Sequence, residues 1–242
     1  MNTLVALAAA IVGYLFGSVS FSRVISRLVA PQTDIEHTEV PVPGTDMTYK
    51  VTAFGATAIS MQLGPRVGCA IGLLDMLKVA LPTLAFKLLY PDQPYELIVA
   101  VAGMAGHNWP IFHGFKGGRG ISTYYGGLFV IDWLGALVTS TVGMLLGMLV
   151  IRDYMVAYIA GLWLLIPWIW FRTHRWEYVA YAVTVNVLYV IAMIPDLKQY
   201  MAIRKTTDLD PNMVLETNPM GRGMLKISDW VQSLFGRKPK DS

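Results

Sequence analysis

The sequence predicts an all-α membrane protein, a compact bundle of about seven transmembrane helices with a short amphipathic C-terminal helix. Three observations carry that prediction. Hydrophobic residues fill 55% of the 242 positions and charged residues only 14%, with a mean hydropathy of +0.49. Globular domains carry about a quarter charged residues, so this chain has too few to coat a water-facing surface. Five stretches hold no Asp, Glu, Lys or Arg: Leu4 to Ser22, Leu97 to Phe115, Trp133 to Ile151, Tyr154 to Phe171 and Tyr178 to Pro195. Each approaches the roughly 20 residues that cross a hydrocarbon core as a helix. Finally, the first basic residues, Arg23 and Arg27, follow the first apolar run instead of preceding it. That order argues against a cleavable signal peptide and suits an outside N-terminus with a cytoplasmic helix end.

The elements follow in order. Helix 1 is expected over Leu4 to Val29. A polar cytoplasmic loop, about 31–64, carries Pro31, Pro41, Pro43 and Gly44 as breakers. Helix 2 runs from about Val67 to Leu89, interrupted by Asp75, Lys78 and Pro82, and helix 3 from Tyr95 to Phe112. Helix 4, Ile121 to Ile131, is too short to span alone. Helices 5, 6 and 7 are Trp133 to Ile151, Tyr154 to Phe171 and Trp176 to Pro195, so that residues 1–196 form the membrane domain. The remainder, 197–242, is a basic cytoplasmic tail. In its 222–236 stretch Met224, Ile227, Trp230, Val231, Leu234 and Phe235 share one helical face ahead of Arg237, Lys238 and Lys240. Such a helix suits either the inner membrane surface or the protein's own cytoplasmic face.

Chemistry concentrates in Gly106 to Thr123. Between two apolar segments lie Lys116-Gly117-Gly118-Arg119-Gly120. Glycines let backbone N–H groups converge on an anion, a helix start adds its positive end, and the two cations supply countercharge. The loop therefore reads as a phosphate cradle; a tight basic turn at the cytoplasmic face is the plainer alternative. Gly17-Ser18-Val19-Ser20 in helix 1 reads first as close helix packing. Asp75 and Lys78, three apart on one helix, can pair, and serve either function or the bundle's cohesion. His107 suits a phosphate contact or a helix-end cap, and His113 an interfacial position. The sole cysteine, Cys69, excludes an intrachain disulfide. The sequence carries no metal-ligand cluster, internal repeat or nucleic-acid signature.

Read in order, these segments resemble the bacterial acyl-phosphate:glycerol-3-phosphate acyltransferases, the PlsY-type integral membrane enzymes. The resemblance covers most of residues 10–195. It rests on Gly17-Ser18, Gly55-Ala56-Thr57 and Leu74 to Pro82, and is most specific in Gly106-His107, Pro110, Phe115 to Gly120 and Thr123. That last stretch follows the family's Gly-His-x-x-Pro…Phe-Lys-Gly-Gly-Lys-Gly-x-x-Thr, with Arg119 for the second Lys. The resemblance implies seven spans in the plasma membrane, an outside N-terminus and a cytoplasmic active site. It implies acyl transfer from acyl phosphate to the sn-1 hydroxyl of glycerol 3-phosphate, giving lysophosphatidic acid for phospholipid synthesis, with no metal or cofactor. The substrate-binding residues it implies are Lys116, Gly117, Gly118, Arg119, Gly120, His107, Thr123, Ser18, Gly55 and Thr57. Asp75 and Lys78 stand as a structural or accessory pair, and no catalytic side chain is assigned.

Two other family motifs depart. The first, Ser-Gly-Asn-x-Gly-Ala-Thr-Asn with a later Arg, aligns with Val51, Thr52, Ala53, Phe54, Gly55, Ala56, Thr57, Ala58 and Met61. Its Ser, both Asn and its Arg are absent. The third, His-x-x-Asn with a nearby Arg, has no counterpart around Pro195 to Tyr200. Thr52, Lys50 and Arg66 nearby are candidates to substitute for the missing groups. Two phosphates need more countercharge than Lys116 and Arg119, so Ser18, Ser20, Thr52, Thr57, Arg66 and the Asp75–Lys78 pair are expected to converge with them. A non-catalytic paralogue that binds phosphate or phospholipid as a scaffold or regulator is the second reading.

Overall fold

The computed structural model describes residues 1–32, 39–41, 48–51, 53–147 and 154–206, and the single positions 222, 223, 226, 227, 230 and 233. The expected tail helix over 222–236 and the stretch 148–153 therefore lie largely outside the described residues.

Helix α1 (Thr3–Ser18) starts where the Asn2 side chain accepts the Leu4 N–H at 2.9 Å. It does not continue to Val29. The backbone turns extended at Val19 and Ser20, and a separate helix α2 (Phe21–Val29) follows. The break survives in an apolar setting because Lys78 Nζ donates to the Val19 carbonyl at 2.6 Å, satisfying an acceptor that the broken helix leaves open. Above it α1 lies almost backbone to backbone on α5 (Tyr95–Asn108). A Cβ added to Gly17 would sit 2.0 Å from the Gly103 oxygen, the close approach that small residues permit between membrane helices.

The polar segment after α2 holds structure that the turn-rich composition did not disclose. Strands β1 (Glu39–Pro41) and β2 (Thr48–Lys50) form an antiparallel hairpin, Glu39 opposite Lys50. A short helix α3 (Ala56–Leu63) leads into α4 (Pro65–Leu89), whose first proline, Pro65, sits in the first turn, where its missing N–H costs nothing; the helix also carries Pro82 within its length.

Helix α6 (Ile121–Leu145) is two arms hinged at Asp132, where φ −148° and ψ 87° are non-helical. Tyr124 lies beside Thr139 and Tyr125 beside Ser140, so the arms run antiparallel. The division between helices 4 and 5 read from the sequence falls at this hinge. Asp132 receives the Gly135 N–H at 3.1 Å and the Trp168 indole N–H at 2.9 Å. Lys87 Nζ donates to the Val130 and Ile131 carbonyls that the hinge frees. Helices α7 (Tyr154–Thr173) and α8 (Trp176–Thr206) complete the bundle, and α8 continues through Pro195, three turns past the expected stop.

By length and apolarity, Pro65–Leu89 and Trp176–Gln199 can each cross a membrane as one helix; Thr3–Val29 and Ile121–Leu145 are as apolar but are divided at Val19–Ser20 and at Asp132, and Ile159–Thr173 is apolar and shorter. The core joins α5, α6, α7 and α8 through Leu97, Met104, Tyr124, Leu128, Leu162, Leu165 and Val185. Leu4, Leu88, Trp163 and Phe171 face outward, as a lipid-facing surface requires. Asn2 bonds Tyr95, Tyr178 bonds Glu96, and Asp132 meets Arg172 at one end of the bundle. The α1–α2 break and the glycine loop lie at the other.

Candidate active site

Helix α5 spans only 14 residues, about 21 Å at 1.5 Å per residue, because Trp109-Pro110 ends it inside the width of a bilayer. The chain makes one 3₁₀ turn, Ile111–His113, and returns through the loop 114–120. Gly114 and Phe115 both take positive φ, 58° and 61°. Three loop amides are spent on turn carbonyls: Phe115 N–H on Pro110, Lys116 N–H on His113 and Gly118 N–H on His107. At the start of α6 the Thr123 hydroxyl donates to the Gly120 carbonyl at 2.9 Å, and no side chain caps the helix.

Under this loop lies a buried ionic cluster. Lys78 Nζ is 2.8 Å from Asp75 Oδ1 and 3.0 Å from His107 Nδ1, besides its bond to the Val19 carbonyl. Asp75 is 1% exposed, Lys78 6% and His107 7%. The other face of the imidazole supports the loop: a Cβ on Gly118 would lie 2.1 Å from His107 Nε2. The lysine thus links the α1–α2 break, α4 and α5 at one atom, and reaches the glycine loop through His107.

Above the loop opens a cleft of about 450 Å³. Its floor holds Asn108 and Trp109, and Phe115 to Arg119 form one wall. Lys50, Val51 and Phe54 form a second, Ile191, Ala192 and Pro195 of α8 a third, and Glu39 stands at the rim. Phe54 N–H donates to the Gly117 carbonyl at 3.0 Å, so the two walls share a backbone bond. The Arg23 guanidinium, buried in α2, stacks 4.3 Å from the Phe54 ring centroid. The Gln199 side chain of α8 takes both backbone groups of Lys50, its N–H at 3.0 Å and its C=O at 3.1 Å. That pair of hydrogen bonds holds the hairpin against the cleft. Lys50 pairs with Glu39 at 3.3 Å. The Thr48 hydroxyl and then Lys50 lower the Glu39 carboxyl below its ordinary range, which leaves it ionised at neutral pH.

The expected residues distribute unevenly. Lys116, Gly117, Gly118 and Arg119 line the cleft. Gly55 abuts Gly118, while His107, Gly120 and Thr123 stand behind the loop. Ser18 is fully buried and donates back to the Tyr14 carbonyl. Ser20 bonds Ser22, and Thr57 and Arg66 are exposed away from the cleft. The expected convergence of these groups does not occur, because α1 is sealed against α5 at Gly17 and the Asp75–Lys78 pair is buried beneath His107. Thr52 lies outside the described residues. Of the expected substitutes, Lys50 alone among the described residues reaches the cleft. Arg119 is not an open cation: its Nε and Nη2 grip both Asp196 oxygens, the latter at 2.7 Å. Nothing local in the sequence marks that pair, which joins positions 77 apart. Asn108, Phe54 and the α8 face were likewise not singled out.

A family model for glycerol-3-phosphate acyltransferase matches residues 7–203. The chain belongs to that family. Among curated members, a glycerol-3-phosphate acyltransferase of Shouchella clausii is 34% identical over 142 residues, 57% of this chain and 63% of that protein. One of Aquifex aeolicus is 33% identical over 129 residues, 52% of this chain and 60% of that protein. The chain thus spans somewhat under two thirds of these relatives' own length. The crystal structure of PlsY, an integral membrane glycerol 3-phosphate acyltransferase, in its glycerol 3-phosphate form superposes with a TM-score of 0.67 at 25% identity. It covers 82% of this chain and 93% of that one. The lysophosphatidic acid form of PlsY gives the same TM-score at 24% identity. The glycerol-3-phosphate acyltransferase match takes in the hairpin, the glycine loop and nearly all of α8, every element that walls the cleft.

Proposed function

We propose that this protein transfers an acyl group from acyl phosphate to the sn-1 hydroxyl of glycerol 3-phosphate, forming lysophosphatidic acid. One observation carries the reading: Lys50, Lys116 and Arg119 line a single cleft beside the polar Glu39 and Asn108, and Phe54, Phe115, Ile191 and Ala192 give it an apolar wall. Two phosphate dianions about 6 Å apart repel by about 11 kcal/mol at an effective dielectric near 20. Lys116 and the amides at the start of α6 offset part of that repulsion; Lys50 and Arg119 add charge that Glu39 and Asp196 partly cancel, and the apolar wall accepts the acyl chain. Acyl phosphate is an activated mixed anhydride. The acceptor hydroxyl oxygen attacks the acyl carbon, the bond from that carbon to the phosphate oxygen breaks, and the hydroxyl proton leaves with the phosphate. Holding two phosphates in register and excluding water supplies most of the acceleration. The substrate-binding roles fall to Lys116, Gly117, Gly118, Arg119 and Lys50, with His107, Gly120 and Thr123 shaping the loop.

The test uses purified protein in detergent, palmitoyl phosphate and labelled glycerol 3-phosphate, with lysophosphatidate as the readout. Product is expected. Lys116→Ala removes one charge-assisted contact worth about 1.5–3 kcal/mol, so kcat/KM falls roughly 10- to 100-fold. Folded protein that yields no product favours a non-catalytic protein that binds phosphate or phospholipid.

In this reading the chain lies in the plasma membrane with the glycine loop cytoplasmic and the N-terminus outside. In intact cells expressing a Cys69→Ser background, a cysteine at Gln93 should react with an impermeant maleimide. One at Lys116 should react only after permeabilisation. The reverse pattern overturns the orientation.

A further inference from the structure

Asn108, the last residue of α5, is 3% exposed, and neither its Nδ2 nor its Oδ1 has a hydrogen-bond partner. A Cβ on Gly120 would lie 2.6 Å from that Oδ1, so the amide is packed against the turn into α6. The residue also lines the cleft, beside Trp109 and the Lys116–Arg119 wall. A carboxamide presents two N–H donors and two acceptor positions. Burying all of them unmade costs stability, and native proteins leave few such groups without a reason. Leucine, nearly the same shape, would fill the space without that cost.

The chemistry of the vacant partner narrows what completes the amide. It must accept from Nδ2 and donate to Oδ1. A phosphate dianion and an acyl phosphate only accept, whereas an alcohol does both. We infer that Asn108 orients the acceptor: Nδ2 donates to an oxygen of a polyol phosphate, and Oδ1 receives its reacting O–H. The hydroxyl is then held beside the cationic loop with its lone pairs turned toward the acyl carbon. Asn108 takes no proton; it sets which acceptor fits and how it is aimed. This inference rests on the acyltransfer reading and names a specificity-determining contact within it.

The experiment compares wild type with Asn108→Leu, and with Asn108→Ala in case the leucine distorts the loop. KM is measured separately for glycerol 3-phosphate and for palmitoyl phosphate. The rise in Tm on adding glycerol 3-phosphate or inorganic phosphate is measured alongside. KM for glycerol 3-phosphate should rise at least tenfold while that for palmitoyl phosphate stays within twofold. The Tm of the free leucine variant should be no lower than wild type. Stabilisation by glycerol 3-phosphate should shrink, and stabilisation by inorganic phosphate should persist. A variant that keeps both KM values, or loses both equally, shows an amide that serves the fold or a buried water and overturns the inference alone. Wild type that neither binds nor acylates glycerol 3-phosphate overturns the acyltransfer reading, and this inference falls with it.

Discussion

Lys78→Met lowers the unfolding free energy by about 3–5 kcal/mol, the cost of removing one partner of a buried ion pair. Methionine matches the length of the lysine stem but leaves three groups stranded at once. Asp75, 1% exposed, keeps a charge whose nearest remaining partner is the His107 imidazole at 3.8 Å. The Val19 carbonyl loses its 2.6 Å donor, and His107 Nδ1 loses its 3.0 Å partner. The measurement is thermal or denaturant unfolding in detergent, with the Asp75→Leu and Lys78→Met double variant beside it. Removing both charges should restore more than half of the loss, because the unpaired carboxylate is its largest part. Full restoration would show that the Val19 carbonyl and His107 do not depend on the lysine. A single variant as stable as wild type would dismiss the cluster as a structural centre.

Gly118→Ala should reduce kcat/KM by about 100-fold with the helices intact. The new methyl would lie 2.1 Å from His107 Nε2, 2.8 Å from Cε1 and 3.0 Å from Cδ2. The ring cannot swing aside, since its other nitrogen meets Lys78 and its surroundings are packed. The loop has to move instead. Overpacking of this kind costs about 1–3 kcal/mol, and a shift near 1 Å at a positioning site costs on the order of 10²-fold in rate. Circular dichroism should be unchanged, while both substrates' kcat/KM fall together, since the loop walls the site for each. His107→Ala combined with Gly118→Ala gives the methyl room and should recover part of the activity. If Gly118→Ala alone retains wild-type kinetics, the loop does not need its contact with His107.

Membrane class, the short arm at 121–131 and the glycine–cation pattern within Gly106 to Thr123 were legible in the sequence by itself. Partition into a bilayer is decided segment by segment, from the transfer cost of the residues each segment carries, and uncharged runs record that cost directly. A glycine loop between two cations is equally local, with its chemistry inside a few consecutive positions. The partners of polar groups were not legible, because any carboxylate or amide of the right size satisfies a cation, and packing alone chooses which arrives. Hydropathy could not show that α1 breaks at Val19, since the lysine that stabilises the break stands in α4. Residue type could not show that Arg119 is held by Asp196, or that Lys50 rather than Arg66 reaches the cleft. Those outcomes depend on α8 continuing past Pro195, so that Asp196 meets the glycine loop and Gln199 grips the backbone of Lys50. The sequence alone determined which segments are apolar enough for a membrane and which loop carries the charge; tertiary packing decided which charges that loop meets, because pairing depends on distances that no local run of residues contains.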